Sequence, residues 1–299
     1  MFKGIRFLFL AAAVTILVSI FAYGFAQNSL AGGRGILWPR RAYSSRRAKA
    51  SVQTSSSSSS PTRDAQAVSL ANQALKALTG GVAITDSTVQ GTASFIAGSD
   101  QESGTATLEG HAGYESRIVL SLSGGQRSEI HNASAAPPQG KWAGPDGAWH
   151  SIPLHVCWTD PTWFFPALTL QSALNDSQIS FTYVGQGTKV GITVQHIQIS
   201  RVLPGQTSTA TSLIQRLSRV DIYLNSTTNL PVAIDFNAHP DTDATLDLPV
   251  EIQFSGWHSV NGIQVPSEIQ KFLQGSLTLD LSALTISVNS GLPQSDFTI

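Results

Sequence analysis

The chain has 299 residues, including 18 Lys or Arg, 19 Asp or Glu and a single cysteine. This length is enough for one large domain with a buried core, and a lone cysteine excludes an internal disulfide framework and a cysteine-rich zinc module. Residues 64–299 hold nine basic and all 19 acidic residues, and therefore a net charge of −10. Nucleic-acid binding requires clustered Lys and Arg, so we expect no nucleic-acid partner.

Residues 1–26 are predicted to direct export as a signal peptide. Lys3 and Arg6 precede an apolar run, and Gly24-Phe25-Ala26 places small residues at the −3 and −1 positions of a signal-peptidase site. The alternative is an uncleaved inner-membrane anchor, because residues 7–26 are long enough to span a bilayer. Both interpretations predict an exported, periplasmic protein.

Residues 27–63 are predicted to form a basic, Ser-rich, disordered linker. The segment holds seven basic and no acidic residues, and it ends with a run of six serines followed by Pro61. Such a composition cannot bury enough apolar surface to become ordered. A second interpretation is a basic arm that contacts an anionic membrane surface. Either way, the folded domain is predicted to comprise residues 64–299.

The domain begins with a predicted helix and continues as many antiparallel strands. Residues 64–79 show helical spacing of apolar side chains and end at Gly80-Gly81. About eleven later segments alternate apolar with polar residues, which is typical of antiparallel strands with one buried face. Asn261-Gly262 predicts a type I′ hairpin turn. The fold class is therefore mainly antiparallel β with a few helices, and a sheet this large is expected to curve strongly.

Three segments depart from simple alternation. The run from Trp163 to Leu174 has helical spacing. The run from Thr209 to Leu217 predicts either a short helix or an excursion of the chain over the sheet. In the strand predicted from Val190 to Val202, the apolar parity switches between Val194 and Ile197, which predicts a bulge or strong bend in that strand.

The candidate chemistry of the chain is weak, and we predict no enzyme activity, metal or cofactor. His150, His155, and the run from His239 through Asp243 to Asp247 show none of the familiar zinc or calcium spacings, so the acidic run is interpreted as a solvated turn. No Gly-x-Ser-x-Gly nucleophile elbow is present. Cys157, between Val156 and Trp158, is predicted to be a buried, inert thiol. An exported hydrolase is the least favoured alternative.

Aromatic residues are the best candidates for a ligand site. Four of them fall within eight residues, from Trp158 to Phe165. They are interpreted either as core packing of a helix on the sheet or as the aromatic face of a lid over an apolar cavity. The residues predicted to line the cavity or its lid are Trp149, Trp163, Phe164, Phe165, Phe181, Tyr183 and Trp257.

The C-terminal third carries a family resemblance. Residues 221–225 followed by Asn229-Leu230-Pro231-Val232, the hairpin from Phe254 to Pro266, and the pair Asn289 and Phe297 resemble the outer-membrane lipoprotein carrier superfamily (LolA/LolB-like). The resemblance implies an unclosed, strongly curved β-barrel lidded by helices that binds a lipid or lipoprotein acyl chain. The alternative is a structural or protein-interaction domain of the cell envelope without a ligand cavity.

Overall fold

The computed structural model describes residues 60–111 and 114–299. The predicted signal peptide, residues 1–26, and nearly all of the predicted linker lie outside the described residues. Within the described residues, no helix is long and apolar enough to cross a membrane.

Helix α1 (Ala65–Thr79) opens the domain where the sequence predicts it. The Asp64 side chain accepts a hydrogen bond of 2.9 Å from the backbone N–H of Ala67, which caps the first turn. The helix ends at Gly80, whose φ of 62° is in the left-handed region that glycine adopts without steric cost.

Fifteen strands and two further helices follow in the described residues. The helices are α2 (Pro166–Asn175) and α3 (Ser208–Leu217), both close to their predicted positions. The strands are β1 (Asp86–Ala97), β2 (Asp100–His111), β3 (Glu115–Leu122), β4 (Gly125–Asn132), β5 (Gln139–Ala143), β6 (Trp149–Ser151), β7 (Ile179–Lys189), β8 (Ile192–Arg201), β9 (Val220–Asn225), β10 (Pro231–Ala238), β11 (Leu248–Ser255), β12 (His258–Val260), β13 (Ile263–Val265), β14 (Glu268–Leu273) and β15 (Ser276–Val288).

Thirteen of these strands form one curved, unclosed antiparallel sheet, so the predicted fold class is confirmed. The strand order is β6-β5-β4-β3-β2-β1-β15-β14-β11-β10-β9-β8-β7, with β6 and β7 at the two edges. The last strand, β15, pairs with β1 and therefore lies at the middle of the sheet.

The remaining two strands, β12 and β13, form a small hairpin that contacts α1. Its turn residues Asn261 and Gly262 have φ angles of 52° and 83°, as a type I′ turn requires. The turn prediction is thus confirmed, and Ile263 and Val265 of this hairpin are buried in the core.

The predicted irregularity of β8 is corrected by the strand pairing. The register shift lies in the partner strand β7, between Tyr183 and Gly185, whereas β8 pairs with β9 without a break. Val194 changes the apolar parity because it is buried outside the main core cluster, while Ile197 and Ile199 belong to that cluster. The apolar parity of β8 switches because the strand has buried residues on both of its faces, and not because the strand contains a bulge.

Candidate functional site: the inner face of the sheet

One face of the curved sheet, here called the inner face, carries the main hydrophobic core and meets α1 and α2. Buried residues from strands on both halves of the sheet join it; they include Val89, Leu108, Ile118, Leu120, Ile197, Ile222, Ile234, Ile252 and Leu281. Alternation along each strand places these side chains on one side because successive residues point to opposite faces. The inner face is thus a continuous apolar surface.

Helix α1 covers this face largely through small side chains. Its buried core residues are Ala67, Ala71, Ala74 and Leu78. An alanine removes less apolar surface from water than a leucine or phenylalanine does. The contact between α1 and the sheet therefore depends on close approach more than on large buried side chains.

Helix α2 is held close to the sheet at two points. A Cβ atom at Gly110 of β2 would lie 2.9 Å from Cδ1 of Leu168, so the glycine leaves the space that this leucine fills. The Gln171 side chain accepts a hydrogen bond of 2.9 Å from the backbone N–H of Ile84 and donates one to the Ile84 carbonyl. These contacts fix α2 beside the segment that follows α1.

The three predicted aromatic residues before α2 lie in the core. Trp163, Phe164 and Phe165 are 4%, 0% and 3% exposed. The Trp163 and Phe164 rings meet edge to face, with centroids 5.6 Å apart. Pro166 then begins the helix, where its missing N–H has no cost. These aromatic side chains fill the space between α2 and the sheet.

Phe181, Tyr183 and Trp257 join the same core, with Tyr183 and Trp257 only partly buried. The Phe181 ring lies under the Arg63 guanidinium, 4.8 Å from its centroid. The Tyr183 hydroxyl donates to Oε1 of Gln195 at 2.7 Å, and Trp257 Nε1 donates to the Pro231 carbonyl at 3.2 Å. Six of the seven predicted residues thus belong to the one hydrophobic core of the domain.

The seventh residue, Trp149, lies elsewhere. It is 50% exposed on the edge strand β6, with Nζ of Lys141 4.8 Å from its ring centroid. Trp149 pairs with Ala143, whereas the neighbouring pair, Trp142 and His150, is on the other face. The inward-facing residue is Trp142, which is 6% exposed and stacks on His150 at 4.5 Å. The sequence analysis did not select Trp142, because the face on which each tryptophan lies depends on the pairing of β5 with β6, which the sequence does not show.

A small cavity borders the inner face. The cavity, of about 40 Å³, lies between Ile199 and Val220 of the sheet and the segment from Cys157 to Pro161. A water molecule needs about 10–15 Å³ on this scale, so the cavity has room for a few waters and not for an acyl chain. An acyl chain would therefore fit this cavity only if the residues around it moved apart.

Asp160 and Cys157 are two of the four titratable side chains that line this cavity, the others being Tyr114 and Arg201. Burial raises the pKa of Asp160, although hydrogen bonds from Thr169 and Thr162 oppose the shift. Burial also raises the pKa of the Cys157 thiol to about 12, and the charges of Glu129 and Asp241 act in the same direction. At neutral pH the thiol is therefore protonated and a poor nucleophile, as the sequence predicts.

Charged residues on the inner face were not predicted from the sequence. Glu129 pairs with Ile118 and Arg127 pairs with Leu120, so Glu129 and Arg127 of β4 both point inward. Glu129 contacts Nε2 of His131 at 2.7 Å. Arg127 forms a bidentate pair with Glu102 at 2.6 and 2.7 Å. Each of these two carboxylates therefore has a basic side chain in direct contact.

Lys271 is a further inward-facing charge. It is 4% exposed, and Nζ lies 4.8 Å from the centroid of the Trp163 ring. Burial lowers the pKa of its ammonium to about 8 from the usual 10.5, and the Glu129 carboxylate opposes this shift. The alternation Ile269, Lys271 in β14 was a usable signal, since both residues must point to the same face.

The candidate metal-binding residues do not converge. His155 Nε2 contacts the Pro240 carbonyl at 2.7 Å, and His239 Nε2 contacts Oδ1 of Asp247 at 2.9 Å. Asp243 accepts hydrogen bonds from the backbone and hydroxyl of Thr245, as expected of an exposed turn. In the part of the chain that the structure describes, no group of three or more His, Cys, Asp or Glu could hold a metal ion.

Comparison with known proteins finds similar structures but no similar sequences. No protein-family model matches the chain, and no curated protein matches it. A domain described as an outer membrane lipoprotein-sorting protein from Vibrio parahaemolyticus is 11% identical with a TM-score of 0.48, covering 78% of this chain and 96% of that one.

Two further solved structures show the same level of similarity. A DUF1329 family protein from Desulfovibrio piger is 11% identical with a TM-score of 0.47, covering 78% of this chain and 96% of that one. A LolA superfamily protein from Nitrosomonas europaea is 9% identical with a TM-score of 0.44, covering 78% of this chain and 97% of that one. The sheet of this chain is unclosed and antiparallel with helices on one face, which is the fold class that the sequence predicts.

Proposed function

We propose that this domain is a non-catalytic protein of the bacterial envelope that binds an acyl chain or another apolar molecule between the inner face and helices α1 and α2. It would act as a carrier, chaperone or sensor of that ligand. The observation that carries the proposal is the continuous apolar inner face, which is covered by a helix whose buried residues are mostly alanines.

The energetics support exchange of α1 for a ligand. Lifting α1 exposes the buried Ala67, Ala71, Ala74 and Leu78, together with the partly buried Val68, Leu70 and Leu75 that also pack on the core. Burying an alkyl chain contributes about 0.8 kcal/mol per CH₂, so a chain of about 16 carbons offers on the order of 10 kcal/mol before association costs of similar size. A long chain can thus compensate for the contacts that α1 loses.

The proposal includes localisation and a membrane contact. The chain would be exported to the periplasm, with residues 7–26 either removed or retained as an inner-membrane anchor. The basic linker, residues 27–63, would contact anionic lipid, since Lys and Arg near such a surface are attracted to it. This contact would bring the inner face near a source of acyl chains.

A second function is favoured by a different observation. The described cavity is too small for an acyl chain, and Leu154, Leu213 and Leu246 are 49%, 43% and 48% exposed. Leu213 is in α3, which contacts the 3₁₀ turn Val156–Trp158 that follows Leu154. Arg216 of α3 donates hydrogen bonds to the carbonyl oxygens of Ala244 and Thr245, which precede Leu246. Exposed apolar groups mark an interaction surface where they form one contiguous patch, which this proposal requires of the three leucines. The alternative function is thus a protein-interaction domain.

Native mass spectrometry of the full chain distinguishes the two functions. The protein would be purified from a bacterial envelope without detergent, measured intact and then extracted with organic solvent. Co-purifying lipid at near one-to-one stoichiometry supports ligand binding and identifies the ligand class. An unliganded mass that persists after incubation with excess palmitic acid contradicts ligand binding and favours the interaction domain.

The matched variant for the alternative function is Leu213→Ser. Removing this exposed leucine should leave lipid co-purification unchanged and reduce chemical cross-linking to envelope proteins if α3 is the contact surface. Equal cross-linking of the variant and the unsubstituted chain would contradict the alternative function.

A further inference from the structure

The cavity that borders the inner face offers an occupant both apolar surface and hydroxyl groups. Ile179, Ile199 and Val220 line it from the sheet, and all three belong to the core cluster. The rest of the lining includes Tyr114, which precedes β3, and Thr159 in the segment between the 3₁₀ turn and α2. The space is therefore amphipathic, although its volume is only about 40 Å³.

The two hydroxyl groups are buried without hydrogen bonds. Within the described residues, the hydroxyl oxygens of Tyr114 and Thr159 are shielded from solvent and have no hydrogen-bond partner. Most buried polar side-chain atoms in folded proteins do have one, because a buried group without a partner loses its bonds to water and gains nothing in return. Since both residues line the same cavity, the missing partner of each is best supplied by an occupant of that cavity.

Two charged side chains of the lining already have partners inside the protein. Oδ1 of Asp160 accepts hydrogen bonds from the backbone N–H and the hydroxyl of Thr162 at 2.9 and 3.1 Å, and Oδ2 accepts one from Thr169 at 2.7 Å. The Arg201 guanidinium donates to Oδ2 of Asp176 at 2.9 Å. An occupant would therefore gain its new hydrogen bonds from the hydroxyl groups and not from these charges.

The charges around the cavity disfavour an anionic occupant. Burial raises the pKa of Tyr114, the charges of Asp176 and Asp160 act in the same direction, and the charge of Arg201 opposes them. Two carboxylates thus act on this hydroxyl group against one guanidinium, which lies 4.8 Å from the centroid of the Tyr114 ring. A ligand carboxylate would add a third negative charge, whereas an alcohol is uncharged and both donates and accepts hydrogen bonds.

The size and polarity of the cavity fit the end of an alcohol better than water alone. A water molecule needs about 10–15 Å³ on this scale and two to four polar partners. Waters here would bond to the two hydroxyl groups but would also face the aliphatic side chains of Ile199 and Val220. A terminal CH₂–OH group places its oxygen at the hydroxyl groups and its carbon on the apolar surface.

We propose that this cavity binds the hydroxyl end of an uncharged long-chain lipid whose alkyl chain continues along the inner face. This inference rests on the proposed function and specifies its ligand class. Ile199 and Val220 are paired neighbours in β8 and β9, and both belong to the core, so a chain that leaves the cavity passes onto the inner face. The hydroxyl end fits the existing space, and the residues around it move apart to admit the chain.

The test compares hexadecan-1-ol with palmitic acid, which has the same number of carbon atoms, by native mass spectrometry titration of the delipidated full chain at pH 8. The variants are Tyr114→Phe, Thr159→Val and the double variant, each of which removes a hydroxyl group and nearly keeps the shape of the side chain. The control is Tyr223→Phe. Tyr223 lies outside the core cluster, with its ring stacked on His196 at 4.4 Å.

We expect hexadecan-1-ol to bind more tightly than palmitic acid to the unsubstituted chain. Each single variant should bind hexadecan-1-ol about threefold to tenfold more weakly, the factor expected for one uncharged hydrogen bond, and should bind palmitic acid unchanged. Tyr223→Phe should bind both molecules as the unsubstituted chain does. Thermal melts without ligand should show Tyr114→Phe and Thr159→Val to be at least as stable as the unsubstituted chain, since neither hydroxyl group has a partner to lose.

Three results would overturn the site while ligand binding stands. These are unchanged binding of hexadecan-1-ol in the variants, lower stability of the unliganded variants, which would assign the hydroxyl groups a structural role with water, and tighter binding of palmitic acid than of the alcohol. If the unsubstituted chain binds neither molecule, the proposed function fails as well. Thr159→Val alone provides the comparison if Tyr114→Phe does not fold.

Discussion

The carboxylate of Asp86, in the first strand, accepts two hydrogen bonds from Ser290, just after the last strand, one from its backbone N–H at 2.7 Å and one from its hydroxyl at 2.8 Å. Gly291 donates a third from its backbone N–H at 3.1 Å. Beside them, Asn289 accepts from Thr85 and donates to the Ala83 carbonyl. These hydrogen bonds join residues 83–86, at the start of β1, to residues 289–291, just after β15, at the middle of the sheet. This group of hydrogen bonds is called the clasp.

This clasp predicts a dependence of stability on pH. Burial would raise the pKa of Asp86, but the hydrogen bonds from Ser290 and Gly291 outweigh it and hold the pKa below its usual value. A carboxyl group whose pKa is lower in the folded than in the unfolded state stabilises the fold above its unfolded pKa, and this contribution is lost as the pH falls through the folded pKa. Asp86→Asn should therefore lower the free energy of unfolding by about 1–3 kcal/mol at pH 7. Urea titrations at pH 7 and at pH 3 measure the effect.

The control for Asp86 is Asp100→Asn, because Asp100 is exposed at the start of β2. It should unfold at the same urea concentration as the unsubstituted chain. An equal loss of stability in both variants would contradict the clasp.

Lys271 predicts a second rise of stability with pH, in a more alkaline range. Its pKa is about 8 in the folded protein and 10.5 in the unfolded reference, so the unfolded chain binds more protons between these values and stability rises through that interval. Below pH 8 the buried charge of Lys271 lowers the free energy of unfolding by about 3 kcal/mol, since each pKa unit corresponds to about 1.4 kcal/mol. Lys271→Met should therefore be the more stable protein at pH 7, and its advantage should vanish toward pH 10.5. Paired thermal melts at both pH values check this difference.

Helix α1 predicts sensitivity to side-chain size. Ala71 is fully buried, so Ala71→Leu inserts extra volume where α1 meets the core. Overpacking of this kind destabilises by about 1–3 kcal/mol. We expect α1 to be pushed outward, with more binding of an apolar fluorescent dye by the folded protein. Ala65→Leu, at the exposed start of the same helix, is the control and should change neither stability nor dye binding.

Trp142 and Trp149 form a matched pair that tests the face assignment of β5 and β6. Trp142→Ala should destabilise the protein by about 3–5 kcal/mol, because a large buried ring is lost. Trp149→Ala, at a residue that is 50% exposed, should have little effect on stability or on lipid co-purification. Chemical denaturation measures both variants. A large loss of stability in Trp149→Ala would contradict the outward placement of this residue.

Local sequence signals predicted the elements well. The caps of α1, the spacing before Asn175 and the Asn261-Gly262 turn each depend on a few neighbouring residues, and all were located correctly. The antiparallel class also followed from alternation, because one buried face imposes period two on every strand.

The inner face could not be assigned in the same way. In β4, the apolar Ile130 predicts that the face of the strand on which it lies is buried, and this is the case. The opposite face, which carries the polar residues Glu129 and His131, is buried as well. The C-terminal turn Gln294–Phe297 contacts β3 and β4, and Phe297 is fully buried outside the main core. Because this covering segment is distant from β4 in the sequence, the residue pattern of β4 alone does not predict that both of its faces are buried.

The position of β15 has a consequence for the order in which the domain can assemble. Six strands, β1 to β6, lie on one side of it, and six, from β7 to β11 together with β14, lie on the other. The last strand to be synthesised therefore joins two halves that are each continuous in sequence, and until it docks, both halves present an open edge. Open edges invite pairing with other chains. A chain truncated after β14 should consequently aggregate, and the two halves should complement each other only when one of them carries β15.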